Sequence, residues 1–173
     1  MTKARRLILS AAALCGLSLL PVAARAQKAT DTKLPEVVRK TFEARFPNAQ
    51  IQKVDVEEED GVTVYDVEFK DAQGEKETDI AADGTMLEIT YVIQPKDLPE
   101  AAAKPILKAA EGATKGRTER IEISHQTKDG KAVKLPKPVT HYAMEMTKGD
   151  KSAEIIVDSD GKVLEEPKWS AGK

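Results

Sequence analysis

Apolar residues recur every four positions at Leu34, Val38, Phe42 and Phe46, with Val37 alongside. That spacing predicts one face of an amphipathic helix. Pro35 suits the first helical turn, where its missing N–H costs nothing, and Glu36 complements the positive end of the helix dipole. Pro47-Asn48 ends the run. Alternation then replaces the four-residue spacing. Ile51, Val54 and Val56 lead to Asp60-Gly61, a hairpin signal, and Tyr65, Val67 and Phe69 share one face of the next strand. After the turn "DAQGE" come "KETDIA", a turn at Asp83-Gly84, and "TMLEITYVI". The prediction is one helix followed by four strands joined by short hairpins, hence an antiparallel sheet.

The pattern restarts after "QPKD" (94–97). Leu98-Pro99-Glu100 matches Leu34-Pro35-Glu36, and Ile106 stands where Phe42 stood. Ile121 and Ile123 are aligned with Val54 and Val56. Tyr142, Met144 and Met146 fall on Tyr65, Val67 and Phe69, and Asp160-Gly161 on Asp83-Gly84. The expected fold class is α+β: two tandem modules, each an N-terminal helix packed on a four-stranded antiparallel β-sheet. The first covers 34–93 and the second 98–167, with 94–97 as linker and 168–173 as tail. The copies part in two places. Pro105 inside the second helix removes a hydrogen bond and is expected to kink or split it. The hairpin after His125 is also longer than its counterpart and carries opposite charge. The first tip holds Glu57, Glu58, Glu59 and Asp60; the second holds Lys128, Lys131, Lys134 and Lys137, stiffened by Pro136 and Pro138.

Residues 1–26 read as a cleaved secretory signal. Lys3, Arg5 and Arg6 precede an apolar run from Leu7 to Leu20, and Ala24-Arg25-Ala26 closes it with a small-x-small cleavage pattern. The run is short for a membrane span, and Leu14 before Cys15 argues against lipidation. A polar lead-in, 27–33, follows. Cys15 is the single cysteine, so the mature chain would have none, which excludes disulfides, thiolate catalysis and cysteine-based zinc sites. Loss of the four basic residues of the signal takes the net charge from −2 to −6. That balance argues against nucleic acid as a partner.

The Leu-Pro helix start, Phe-Pro-x-Ala at Phe46 to Ala49, Tyr-x-Val-x-Phe at Tyr65 to Phe69 and the Asp-Gly-x-Met end at Asp83 to Met86 resemble a PepSY-like module, the beta-lactamase-inhibitor-like family. The first copy matches along its length; the second lacks the Phe-Pro element. The resemblance implies exported bacterial proteins, a helix on a four-stranded sheet, frequent tandem copies, and no catalytic residues. The related beta-lactamase inhibitor protein binds an enzyme with a sheet face.

No catalytic constellation stands out. Gly-x-Ser-x-Gly and a phosphate loop are absent from the sequence. His125 and His141 lack a second ligand at metal spacing. "DSDGK" (158–162) lacks the acid an EF-hand needs before its glycine, so it reads as a hairpin turn. Met144 and Met146 read as core. Trp169 either caps the sheet or sits on an exposed tail. No catalytic, metal or cofactor residues are assigned. The expected function is that of an exported, periplasmic or secreted, non-enzymatic protein-binding module with a regulatory role in the cell envelope. The alternative is an inhibitor of a secreted or periplasmic hydrolase, a peptidase or beta-lactamase. The expected partner is another envelope or secreted protein, with no nucleic acid and no membrane span after signal cleavage. The two unequal hairpin tips are the candidate partner-binding residues.

Overall fold

The computed structural model of the chain describes residues 34–171. The expected signal (1–26) and lead-in (27–33) lie outside the described residues. The elements run α1 (Glu36–Arg45), β1 (Gln50–Glu59), β2 (Val62–Asp71), β3 (Gly74–Ala81), β4 (Met86–Ile93), a 3-10 turn (Pro95–Asp97), α2 (Glu100–Ala109), β5 (Thr114–Lys128), β6 (Lys131–Lys148), β7 (Lys151–Asp158), β8 (Val163–Glu165) and β9 (Ser170–Ala171). A helix followed by four strands, and then a helix followed by five, thus run along the chain, but the strands do not make two sheets. They form one nine-stranded sheet in the order β1 to β8, with β9 also paired to β7.

This corrects the expectation of one four-stranded sheet in each of two modules. β4 and β5 pair antiparallel from Glu88↔Ile123 to Ile93↔Thr118. Each would otherwise be an edge strand with a row of unmet backbone groups, and joining the two edges removes both at once. Part of the expected tail joins the sheet as well, since Ser152 pairs with Ser170 and Lys151 with Ala171.

Both helices pack on the same face, termed the helix face. Under α1 lie Leu34, Val38, Phe42 and Phe46 against Val67, Phe69, Ile80 and Ile89. Under α2 lie Leu98, Ala102, Ile106 and Ala110 against Tyr142, Met144, Met146, Ile155 and Val157. Met144 and Met146 are fully buried, as their pattern predicts. α2 is continuous despite Pro105. The carbonyl that a residue at 105 would normally bond is that of Ala101. It is packed instead against Gly161 of the β7–β8 turn, where an added Cβ would come within 2.2 Å of the Ala101 oxygen.

Ile121 and Ile123 need a second correction. Val54 pairs with Val67 and belongs to the helix side. Ile121 pairs with His141 and Ile123 with Val139, on the opposite or far face, where they pack with Ala143, Ile156 and Leu135. The counterpart of Val54 across from a helix-face strand residue is Thr118, opposite Met144. A shift of one residue exchanges the faces of a strand, and β5 carries a register irregularity between Lys115 and Thr118. As an interior strand, β5 also has apolar cover to meet on its far face.

Candidate functional site

The far face is built by period-two alternation in β1 to β7. Among the described residues no helix lies on it. In place of one, the long β5–β6 hairpin folds back across one end. Leu135, Pro136, Lys137 and Pro138 stand between Lys134, opposite His125, and Val139, opposite Ile123. Prolines donate nothing to a ladder, so this unmatched segment is where the hairpin bends. Ala132 then packs on Val62, Val64, Ala81 and Leu87, and Leu135 on Ile121, Ile123, Ala143 and Ile156.

The bend brings the two candidate tips together. Asp60-Gly61 and Asp129-Gly130 both have two consecutive positive φ angles, the geometry of a tight type I′ turn. The Gly130 N–H donates to the Asp60 carbonyl at 2.8 Å, and a Cβ on Gly61 would sit 3.4 Å from the Gly130 Cα. Sequence reasoning treated these tips as equivalent points of separate modules; it had no signal that they touch. Of the acidic tip, Glu58 accepts from the Thr63 hydroxyl at 3.1 Å, and Glu59 faces Thr127 of the long hairpin. Burial and the neighbouring carboxylates of Glu88, Glu57 and Asp60 hold the Glu59 carboxyl above its usual range. Lys128, Lys131, Lys134 and Lys137 are exposed. The first three flank the long hairpin's turn, and Lys137 lies in the bend.

Between the hairpin arm and the sheet is a small polar cavity of about 20 Å³, lined by Glu59, Asp79, Leu87, Glu88, His125, Gln126 and Thr127. His125 lies beside Ser124, whose Oγ is 2.9 Å from its Nδ1. From beneath the hairpin arm outward, the far face of β1–β5 is charged. Asp55, Asp66, Asp79 and Glu88 stand opposite one another across β1 to β4. In the adjacent row Lys53 faces Glu68, which faces Glu77. Lys53 pairs with Asp55 and Glu68; burial works against its cation, but these carboxylates outweigh it and raise its pKa. Arg117 bridges Glu77 and Glu119. Burial again opposes the charge, and Glu77, Glu119 and Glu68 overcome it. Glu77, Glu88 and Glu119 are 7%, 9% and 4% exposed, so the charged floor is recessed. None of these floor residues was singled out from sequence, because alternating acids in an amphipathic strand look like ordinary solvated positions.

The helix face has a recess of its own, about 490 Å³, in the gap between the two helical cores. Lys76, Tyr91 and Arg120 stand side by side across β3, β4 and β5. The Arg120 guanidinium lies 4.3 Å and the Lys76 ammonium 5.5 Å from the Tyr91 ring centre. Lys76 is held by Asp71 at 2.6 Å and Gln73 at 2.8 Å; Arg120 pairs with Glu122 at 3.0 Å. The cations here are matched by carboxylates, and the row closes the sheet between two apolar cores.

Asp158–Gly161 forms a turn in which the Asp158 carboxylate accepts the N–H groups of Asp160 and Lys162 at 3.0 and 2.9 Å. Trp169 is 38% exposed, beside β9. Among the described residues no group of three or more His, Cys, Asp or Glu is placed to hold a metal ion. Nor is any helix among them long and apolar enough to cross a membrane.

Residues 35–89 match the family model of the peptidase propeptide and YPEB domain, PepSY, which covers α1 to the middle of β4. No curated protein matches the chain. Solved structures from Bacteroides share its fold. One is a Bacteroides eggerthii protein described as periplasmic, at 10% identity, TM-score 0.58, covering 81% of this chain and 90% of that one. Another is a BLIP-like protein from Bacteroides fragilis, at 15% identity, TM-score 0.52, covering 82% and 90%. A third is a DUF2874 family protein from Bacteroides ovatus, at 14% identity, TM-score 0.56, covering 81% and 89%.

Proposed function

We propose that the chain is an exported, non-enzymatic protein-binding module, built as two tandem PepSY-like units whose strands fuse into one sheet, and that it engages its partner with the far face. The observation that carries this reading is the far face itself: a recessed floor of charged side chains across β1 to β5, bounded at one end by a long hairpin. A purely structural sheet face would be either covered by apolar packing or plainly solvated. The PepSY match and the periplasmic and BLIP-like likenesses support an envelope setting and a regulatory role. The hairpin tips, Glu57 to Asp60 and Lys128 to Lys137, form the rim of this surface and steer the partner.

The test is capture from periplasmic or secreted extract with the intact protein as bait. One recurring partner is expected, and its capture should weaken when Lys128, Lys131 and Lys134 are reversed to glutamate. Repeated capture of nothing counts against the whole reading. Capture unchanged by the reversal removes the hairpin from it.

The second reading is an inhibitor of a secreted or periplasmic hydrolase, favoured by the likeness to a BLIP-like protein. A panel of peptidases and beta-lactamases assayed with and without the protein decides it; uniformly unaffected rates reject inhibition.

A further inference from the structure

The two edges of the sheet are built differently. At one end lie β8 and β9, three and two residues long, with Pro167 between them. Short strands and a proline leave little backbone for another chain to pair with. At the other end lies β1, ten residues long and without proline or glycine. Its register breaks once, at Gln52, between Ile51 opposite Phe69 and Lys53 opposite Glu68. Among the described residues nothing pairs with the outer side of β1. Its helix face is open as well. α1 packs on Val67, Phe69, Ile80 and Ile89 and reaches the β3–β4 turn through Thr41. Ile51 and Val56 are therefore left 44% and 47% exposed. A long edge with open apolar residues is a surface for strand addition.

We infer that β1 is a dimerisation edge, and that its occupant is β1 of a second copy of this chain, run antiparallel about a two-fold axis through Asp55. The central residues Lys53-Val54-Asp55-Val56-Glu57 complement themselves when reversed. Lys53 of each copy falls opposite Glu57 of the other, and Val54 opposite Val56. Lys53, Asp55 and Glu57 lie on the far face, and Val54 and Val56 on the helix face, so every pair meets on one side. The two Asp55 carboxylates meet at the axis. Each is bound to its own Lys53, which is also the diagonal neighbour of the other. Other registers lose this match. With the axis at Val56, Asp55 would face Glu57; with the axis at Val54, the irregular Gln52 would face Val56. An axis between residues would set far-face side chains against helix-face ones. In the matched register both helix faces lie on the same side, and the second copy meets no helix over β1. Five positions on each strand make a small interface, so the dimer is weak, with a Kd on the order of 0.1 mM. The inference goes beyond the partner-binding reading and stands apart from it.

The test is sedimentation velocity on the intact protein, from about 0.01 to about 1 mM. A dimer that grows with concentration is expected. Val56→Lys, at an exposed position of the edge, should weaken it about tenfold or more. Val37→Lys, at an equally exposed position on α1, should leave it unchanged. Cross-linking reads the register. Cys15 is the single cysteine, so Cys15→Ser/Asp55→Cys carries one thiol. Opposed at the axis, the two Cα atoms of position 55 would lie about 4.5–5.5 Å apart, within reach of a disulfide. Under mild oxidation this variant should form a covalent dimer about tenfold faster than Cys15→Ser/Val56→Cys or Cys15→Ser/Val37→Cys. Circular dichroism checks that each variant is folded. Should the position-55 variant melt early, the comparison of Val56→Lys with Val37→Lys still decides. The inference is overturned if the protein stays monomeric throughout, if Val56→Lys leaves the dimer unchanged, or if Val37→Lys weakens it as much. Cross-linking no faster at position 55 than at positions 56 and 37 overturns it too. None of these outcomes depends on capture of a partner from extract.

Discussion

The two helices solve the same packing problem with different side chains. α1 sets Phe42 and Phe46 against Phe69, with ring centres 4.4–5.4 Å apart. α2 presents Ala102, Ile106 and Ala110 and lets Met144 and Met146 fill the space below. Small residues bring a helix close; large ones hold it off. The turns at the helix flank record the difference. Beside α1, the Thr41 hydroxyl donates to the Gly84 carbonyl at 3.0 Å, and a Cβ on Gly84 would meet that oxygen at 3.1 Å. Beside α2, Pro105 stands where Thr41 does, and a Cβ on Gly161 would run into the backbone of Ala101. Proline there frees a carbonyl, and glycine in the turn lies against it. The lesson is that one docking geometry can be fixed by a side-chain hydrogen bond or by bare backbone contact.

Truncation of the cores should separate the halves most, if they can be separated at all. Phe69→Ala should cost about 3–5 kcal/mol and Met146→Ala about 2–5 kcal/mol. Because one sheet spans both cores, each should lower a single melting transition, followed by circular dichroism. Two transitions would break the picture of a shared sheet. Next comes Gly161→Ala, which combines φ of +83° with a backbone clash and should cost about 3 kcal/mol. Gly84→Ala meets a hydroxyl that can turn aside, so about 1–2 kcal/mol is expected. Equal losses at the two glycines in chemical denaturation would contradict the closer approach of α2. Thr41→Val should cost about 1 kcal/mol for its hydrogen bond.

The smallest effect concerns the tip. Glu59 has a folded pKa above its unfolded one, so its charged form weakens the fold above that value, and the penalty disappears as pH falls through the raised range. Glu59→Gln should therefore raise the melting temperature at neutral pH, by less than about 1 kcal/mol in stability. The gain should shrink on acidification. A gain that is constant with pH would show that Glu59 does not titrate against the hairpin.

Sequence reasoning read the helices, the turns and the helix-face core well. Positions such as Val67, Phe69, Met144 and Met146 declare themselves by periodicity, and Asp-Gly pairs declare the hairpins. What it missed was non-local. Nothing in β4 or β5 taken singly says that they pair with each other, and the face of Ile121 depended on that pairing. The candidate tips were legible as charged turns, yet their contact at Asp60 and Gly130 follows from a bend at Leu135–Pro138 whose direction no local pattern encodes. The carboxylate row was hidden for the same reason. Asp55, Asp66, Asp79 and Glu88 are far apart in sequence and unremarkable one by one; only register makes them a line.

The β4–β5 junction has a consequence during synthesis. The chain emerges from the ribosome amino end first, and β4 is complete roughly thirty residues before its partner strand can reach it, a delay on the order of seconds. Throughout that interval the nascent half carries a bare edge lined by Ile89, Tyr91 and Ile93. Such an edge can pair with the same edge of a neighbouring nascent chain. Until β5 docks, copies are exposed to strand exchange, and α2 with β5 acts as the built-in stopper that ends the exposure.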